Sequence, residues 1–366
     1  MLSSFLVFGE RGIGKTALAK LIRSVATSND EELYALNILT SYYSAEKGQG
    51  INSVLQESIN KLTDQLDSNT VQNIGNRLGK LFRDGKFEIG AFGFSAAVDL
   101  SQSEQSREIT IKDQTVAILS SIIKNIQSSN THDGILIIID EIHNLADIKG
   151  SASILRNIIT SLDVENLGRL SFLLIGYEED IKTFFAEDPS SRRVFDVIEL
   201  DTMPPEDATE ILKKGLEAIE LPFDRELLSE KVKVAGGYPH SIQLLGHNLV
   251  EVDKDNNIDK TDWAEAIHLT AQELRNKDFS NMYSFGKKQT ERDKLLAYLA
   301  EQDKPVTRKE ISGTGITKNP PRVLKELISS GAIKTNEEDN TISLQSQLFR
   351  TAILFDIVSR DFKDEN

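Results

Sequence analysis

The spacing of hydrophobic and polar positions changes several times along the chain. A short apolar run, Phe5-Leu6-Val7-Phe8, stops at Gly9 and predicts a buried strand. Helical spacing then runs from Thr16 to about Ala26, and Ser28-Asn29-Asp30 breaks it. Residues 33–40 (LYALNILT) read as a second strand, followed by a polar loop over 44–50. Ile51, Val54, Leu55, Ile59 and Leu62 recur at helical spacing within 51–66, and another helix is expected over 70–82. Residues 87–100 (FEIGAFGFSAAVDL) alternate and are punctuated by glycine, which predicts an inserted β-hairpin. A polar linker over 101–106 leads to a helix over 111–126.

The run GILIIID at 134–140 is aliphatic at five consecutive positions and ends in an acid, the pattern of a parallel strand buried on both faces. A helix over 154–162, a strand over 170–175, a short helix over 178–185 and a strand over 194–200 follow. Strands alternating with helices predict an open α/β sheet. After Pro204-Pro205 the period is helical throughout, over about 206–219, 225–235, 240–250 and 260–274. From about Thr290 the order is a helix over 291–300, a short helix over 307–311, a helix over about 320–330, and strands at 332–334 and 341–344 around an acidic turn. That order predicts a winged helix-turn-helix. The expected domains are therefore an α/β domain over 1–203, a helical lid over 204–283 and a winged helix over 284–366.

Composition narrows the picture. At 366 residues the chain exceeds what one core usually serves. No apolar run approaches the ~20 residues that span a bilayer, and the N-terminus lacks a basic stretch and a small-residue cleavage site, so the cytoplasm is the expected compartment. Cysteine is absent, which excludes disulfides and thiolate metal sites, and the five histidines form no ligand-spaced cluster. The net charge of −15 disfavours indiscriminate adhesion to nucleic acid. From Lys287 to Asn366 there are 14 Lys/Arg against 13 Asp/Glu, a net of +1, so the remainder carries −16. Only the C-terminal part is electrostatically suited to approach DNA.

The first strand and helix enclose GERGIGKT, which matches G-x-x-x-x-G-K-S/T at Gly9, Gly14, Lys15 and Thr16. Glycines let successive backbone N–H groups turn inward toward a phosphate chain, and the following helix presents its positive end to the same anion. Gly9, Glu10, Arg11, Gly12, Ile13, Gly14, Lys15, Thr16 and Ala17 are thus the expected nucleotide-binding residues. Lys15 is placed to reach the β- and γ-phosphates, and the Thr16 hydroxyl to ligate Mg²⁺. The second half of the site is ILIIIDE at 135–141, which follows Lys15 by 140 − 15 = 125 residues. Asp140 stands at the C-terminal end of a buried strand, where open α/β sheets bind ligands, and is expected to hold Mg²⁺ through water. Glu141 is expected to orient or deprotonate the attacking water. A lone Asp-Glu pair at a strand end can equally cap a helix; the upstream phosphate loop is what favours the catalytic reading.

With these motifs the chain resembles the AAA+/STAND group of P-loop ATPases, particularly bacterial and archaeal members close to the origin-recognition ATPases. The resemblance covers GERGIGKT, ILIIIDE and the C-terminal winged helix, and it implies ATP or ADP with Mg²⁺ as cofactors. It further implies that Arg192 or Arg193, just before the VFDVIEL strand, completes a neighbouring subunit's site; two surface arginines are the plainer alternative. Gly236-Gly237-Tyr238-Pro239-His240 is similar to the G-x-P element of the STAND lid, which implies that Pro239 and His240 lie near the adenine; a simple helix start is the alternative.

The sequence departs from that group at three places. The strand at 170–175 runs into Gly176-Tyr177-Glu178, without the Asn, Thr or Ser of the usual first sensor. Pro239 or His240 replaces the second-sensor arginine. Both departures favour a slow switch over fast hydrolysis. Only three residues precede the first strand, so either the start is truncated or the adenine side is built otherwise.

Lys318, Arg322 and Lys325 recur at i, i+4 and i+7 and are candidate contacts to double-stranded DNA on one face of the recognition helix. Pro320-Pro321, Glu326 and the acidic turn around them equally suit a protein-docking module. The expected function is an ATP-dependent switch that assembles with copies of itself or a partner ATPase and acts on DNA or a protein effector. The alternative is a winged-helix DNA-binding regulator in which nucleotide is structural.

Overall fold

The structure, a computed structural model, describes residues 3–28, 36–81, 111–275, 279, 282–283, 289–302, 304–337 and 339–364. The hairpin expected over 87–100 and the linker over 101–106 lie outside these residues. The chain forms two compact units, Met1–Gly9 with Gly14–Leu200, and Glu10–Ile13 with Asp201–Asn366.

The first unit is built on a parallel sheet of five strands, in the order β2-β3-β4-β1-β5. These are β1 (Ser4–Phe8), β2 (Ile38–Ser44), β3 (Gly134–Asp140), β4 (Leu170–Gly176) and β5 (Phe195–Glu199). Every residue of β3 is buried, and its side chains divide by alternation between two cores. Ile135, Ile137 and Ile139 join the larger core, with Leu55 and Ile59 of α2 (Ile51–Thr63), Ile118 and Ile122 of α4 (Ile111–Ser129), and Leu155 of α5 (Ile148–Val164). Leu136 and Ile138 face the other way, toward Ala19 and Ala26 of α1 (Lys15–Ala26). Burial on both faces is why β3 needs an unbroken aliphatic run.

The second strand is displaced from its expected place. It runs over Ile38–Ser44 and pairs with β3 from Ile38 opposite Gly134 to Ser44 opposite Asp140. The apolar LYALNILT drew the expectation toward the N-terminus, but pairing with β3 sets the register. Tyr42 and Tyr43 carry the strand further, consistent with the strand preference of aromatics. Among the described residues β5 is an edge strand, paired with β1, and all but its first residue are exposed. Among the described residues, this unit also contains the α-helices α3 (Ser68–Leu81) and α6 (Glu178–Phe184).

In the second unit, α7 (Pro205–Ala218), α8 (Arg225–Lys231), α9 (Pro239–Val252) and α10 (Lys260–Leu274) form a helical cluster in which Trp263 and Tyr238 are completely buried. Gly237 has φ +69°, and its carbonyl accepts the Met203 N–H at 2.9 Å. The same unit contains α11 (Glu291–Glu301), β6 (Val306–Thr307), α12 (Arg308–Gly313), α13 (Pro320–Ser329), β7 (Ile333–Asn336), β8 (Thr341–Leu344) and a terminal helix α14 (Gln347–Asp364). The three strands form an antiparallel sheet in the order β6-β8-β7. The sequence reading did not include α14; it packs on α10, where His268 Nδ1 lies 2.8 Å from Ser359 Oγ.

Asn319 caps α13, its side chain accepting from the Arg322 N–H, and Pro320 takes the first helical position. Lys318 therefore precedes the helix. The spacing that placed it on one helical face with Arg322 and Lys325 does not apply, because Pro320 fixes the start of α13 downstream of it.

Candidate nucleotide site

β1 ends at Phe8, beside Gly176 of β4 and Glu199 of β5, and the loop that follows leads directly into α1. The chain runs from β1 to the far edge strand β2, returns through β3 and β4, and then passes β1 to reach β5. This reversal places the β1–α1 loop where open α/β sheets form a ligand crevice. Gly14 caps α1 at φ +98° and ψ +10°, a left-handed conformation suited to glycine. No side chain caps α1, and its first turn holds no acidic residue. That leaves the first-turn N–H groups without a side-chain cap, as anion binding requires. Lys15 Nζ donates to the Gly9 carbonyl at 2.8 Å and lies 4.5 Å from the centroid of the Tyr177 ring.

Asp140 is 2% exposed and accepts three hydrogen bonds. Thr16 Oγ1 donates to Oδ2 at 2.8 Å, Tyr42 Oη donates to the same oxygen at 2.6 Å, and the Glu141 N–H donates to Oδ1 at 2.8 Å. A buried carboxylate is tolerated only when its oxygens are satisfied in this way. Burial, followed by the hydrogen bond and negative charge of Asp140, pushes the Tyr42 phenol well above its usual range. Tyr42 thus remains a neutral donor at neutral pH.

Glu141 has φ +61° and ψ +41°, an uncommon conformation for a residue with a side chain. Its Oε2 lies 3.1 Å from His143 Nε2. The His143 ring packs on Tyr177 with centroids 4.6 Å apart and planes inclined at 42°. Asp180 Oδ2 accepts the Tyr177 N–H at 2.6 Å, and burial holds the Asp180 carboxyl above its usual range despite that bond. Gly176 makes this close arrangement possible, since a Cβ there would stand 2.7 Å from Ile142 Cγ1 and 3.0 Å from Asp180 Oδ2.

Sequence reasoning placed Lys15, Thr16, Asp140 and Glu141, and the structure brings all four into one cluster. It passed over Tyr42, His143 and Tyr177. His143 had a visible signal, a ring two residues beyond Glu141 in Asp-Glu-Ile-His. Tyr177 was legible only as the absence of a small polar residue after β4. Tyr42 had no signal, because the expected strand ended before it.

Arg192 and Arg193 are exposed in the turn Pro189–Arg193, with the Arg192 guanidinium 5.2 Å from the Phe185 ring centroid. Pro239 starts α9 and His240 follows it. Within the second unit, a Cβ on Gly12 would stand 3.1 Å from the Tyr238 ring and 3.5 Å from His240 Cβ, and Tyr238 Oη donates to the Arg11 carbonyl. Arg322 Nε pairs with Glu326 Oε1 at 3.0 Å, and both are exposed.

The donor set fits a nucleoside triphosphate with Mg²⁺. Thr16 and Asp140 supply a hydroxyl and a carboxylate already in contact, Lys15 supplies a cation, and the first turn of α1 supplies N–H groups. Fold and site together define a P-loop nucleotide-binding domain. The model of the AAA domain family matches residues 3–185, half of the chain, and the chain belongs to that family. No curated protein matches the sequence. Among solved structures, the fold is similar to the ORC2 protein of Aeropyrum pernix in its ADPNP-ADP complexes, at 14% identity over 98% of this chain and 88% of that one, with a TM-score of 0.46. It is also similar to the Walker-type ATPase PABY2304 of Pyrococcus abyssi, at 15% identity over 95% of this chain and 90% of that one, with a TM-score of 0.48. No helix among the described residues is long and apolar enough to cross a membrane.

Proposed function

We propose that the protein is an ATP-hydrolysing switch. The observation that carries this reading is the bond between Thr16 and the buried Asp140, with Glu141 adjoining it in the chain. Lys15 and the first turn of α1 bind the phosphates, and Thr16 and Asp140 hold Mg²⁺, which supplies positive charge at the reacting phosphates. Glu141 takes a proton from the attacking water. The new bond joins the water oxygen to the γ-phosphorus, the bond to the β–γ bridging oxygen breaks, and ADP and phosphate leave.

A structural nucleotide would need no carboxylate beside the phosphates, so Glu141 favours hydrolysis over the regulator reading. Tyr177 in place of a small polar residue after β4, and Pro239 or His240 in place of the second-sensor arginine, favour a slow rate. Copies of the chain, or a partner ATPase, would assemble through the surface carrying Arg192 and Arg193. The segment from α11 to α14, read as a winged helix, would act on double-stranded DNA or on a protein effector. Phosphate release from Mg²⁺-ATP, compared between the wild type and Glu141→Gln, tests the reading. Release that depends on Glu141 supports it, and nucleotide binding without Glu141-dependent release returns the regulator.

A further inference from the structure

Four side chains of the first unit stand in a continuous line. Lys15 Nζ overlies the Tyr177 ring at 4.5 Å, that ring packs on His143 at 4.6 Å, and His143 Nε2 reaches Glu141 Oε2 at 3.1 Å. One end of the line is the cation that meets phosphate, and the other is the carboxylate that meets water. We propose that His143 is a positioning residue for Glu141, and that Tyr177 couples it to Lys15, so that phosphate engagement by Lys15 changes where Glu141 stands. The inference rests on the nucleotide-binding and hydrolytic reading of this site and adds to it two residues and a direction of control.

Three observations support it. First, His143 Nδ1 is buried without a hydrogen-bond partner. An apolar side chain would fill that space without stranding a ring nitrogen. What the imidazole adds is the contact from Nε2 to Glu141. Second, Glu141 is left-handed, a conformation that persists only where neighbouring contacts over-determine it. His143 supplies such a contact, and loss of it would free the carboxylate to take another position. Third, the Tyr177 backbone is fixed by Asp180 and by the end of β4, so its response to movement of Lys15 is confined to the ring. A bound phosphate would compete with the Gly9 carbonyl and the Tyr177 ring for the Lys15 ammonium. The ring and the imidazole packed on it then readjust together.

The test uses the full chain labelled with ¹³C-histidine, with the His143 signal assigned by its loss in His143→Gln. Saturating Mg²⁺ and a non-hydrolysable ATP analogue should shift that signal in the wild type and in Tyr177→Phe, which keeps the ring. They should not shift it in Tyr177→Leu, with saturation verified by calorimetry. Steady-state kinetics supply the second readout. His143→Ala should lower kcat about tenfold, the scale of a hydrogen bond to a charged group, while nucleotide affinity changes less than about twofold. The double variant His143→Ala/Tyr177→Leu should be no slower than the slower single one. A shift retained in Tyr177→Leu, no shift in the saturated wild type, or multiplicative losses in the double variant would overturn the coupling. A wild type that binds the analogue but releases no phosphate would instead defeat the proposed hydrolysis, and the His143 signal would still decide the link.

Discussion

Thr16 Oγ1 donates to Asp140 Oδ2 at 2.8 Å, joining residues 124 apart in sequence. One belongs to the first turn of α1 and the other to the last position of β3, and the parallel sheet brings the two ends together. Replacing Thr16 by Val should leave Mg²⁺-free nucleotide binding intact and remove most of the gain in affinity that Mg²⁺ confers. Titration calorimetry with and without Mg²⁺ measures this. An undiminished Mg²⁺ effect would show that the metal is held by other residues.

If Lys15 holds phosphate and Glu141 activates water, substitutions at the two positions separate binding from hydrolysis. Lys15→Ala should weaken ATP binding at least about 100-fold, since it removes charge-assisted bonds worth ~1.5–3 kcal/mol each. Glu141→Gln should bind ATP within about twofold of wild type and hydrolyse it at least ~100-fold more slowly, the scale of a lost general base. It should also accumulate the assembled state, seen as a larger species by mass photometry with ATP. Equal ATP affinity in Lys15→Ala and wild type would remove the phosphate loop from the site.

Much of this site was legible because its chemistry demands fixed spacing. Gly9, Gly14, Lys15 and Thr16 are confined by the turn that a phosphate requires, and Asp140 by the end of a strand whose aliphatic run cannot be mistaken. The rest depends on packing across the sheet. Tyr42 reaches Asp140 only through the register of β2 on β3, and no local pattern encodes that register. Tyr177 and His143 meet because Gly176 lets the turn after β3 approach the end of β4. The terminal helix α14 follows the strand pair β7–β8, and its Leu348, Phe349, Ala352, Ile353 and Phe355 bury a helical face that a winged helix-turn-helix pattern alone does not call for.

Gly176 offers a test of that approach. Gly176→Ala puts a methyl group 2.7 Å from Ile142 Cγ1, an overpacking of the kind that costs ~1–3 kcal/mol. The thermal midpoint should fall by several degrees. Because Ile142 lies between Glu141 and His143, hydrolysis should fall more than ATP affinity. A variant with wild-type melting and turnover would show that the turn has slack.

Arg192 and Arg193 are exposed beside the edge strand β5, which suits contact with a neighbouring subunit. If either acts in trans, mixing Arg193→Ala with Lys15→Ala should restore ATPase activity at least about tenfold over either alone, given the ~10³–10⁵ such arginines can contribute. The same mixture made with Arg192→Ala separates the two candidates. Mixtures that associate but stay inactive would exclude both arginines.

DNA binding, if the α11–α14 segment performs it, should be modest and sensitive to salt. The rest of the chain carries −16, so attraction must come from residues 287 onward. Lys318, Arg322 and Lys325 supply at most three phosphate contacts, for a log-log salt slope of about −3 at ~−0.9 per contact. The structure adds a further constraint, because Arg322 is paired with Glu326 at 3.0 Å. A phosphate must displace that carboxylate or tolerate its charge. Glu326→Gln should therefore tighten binding and steepen the slope, whereas alanine at all three basic positions should abolish binding and leave ATPase activity intact. Fluorescence anisotropy with a duplex at several salt concentrations measures both. Unchanged affinity in the triple variant would move the contact elsewhere on the chain. No binding at low salt with ATP present, in wild type and Glu326→Gln alike, would assign α13 to a protein partner.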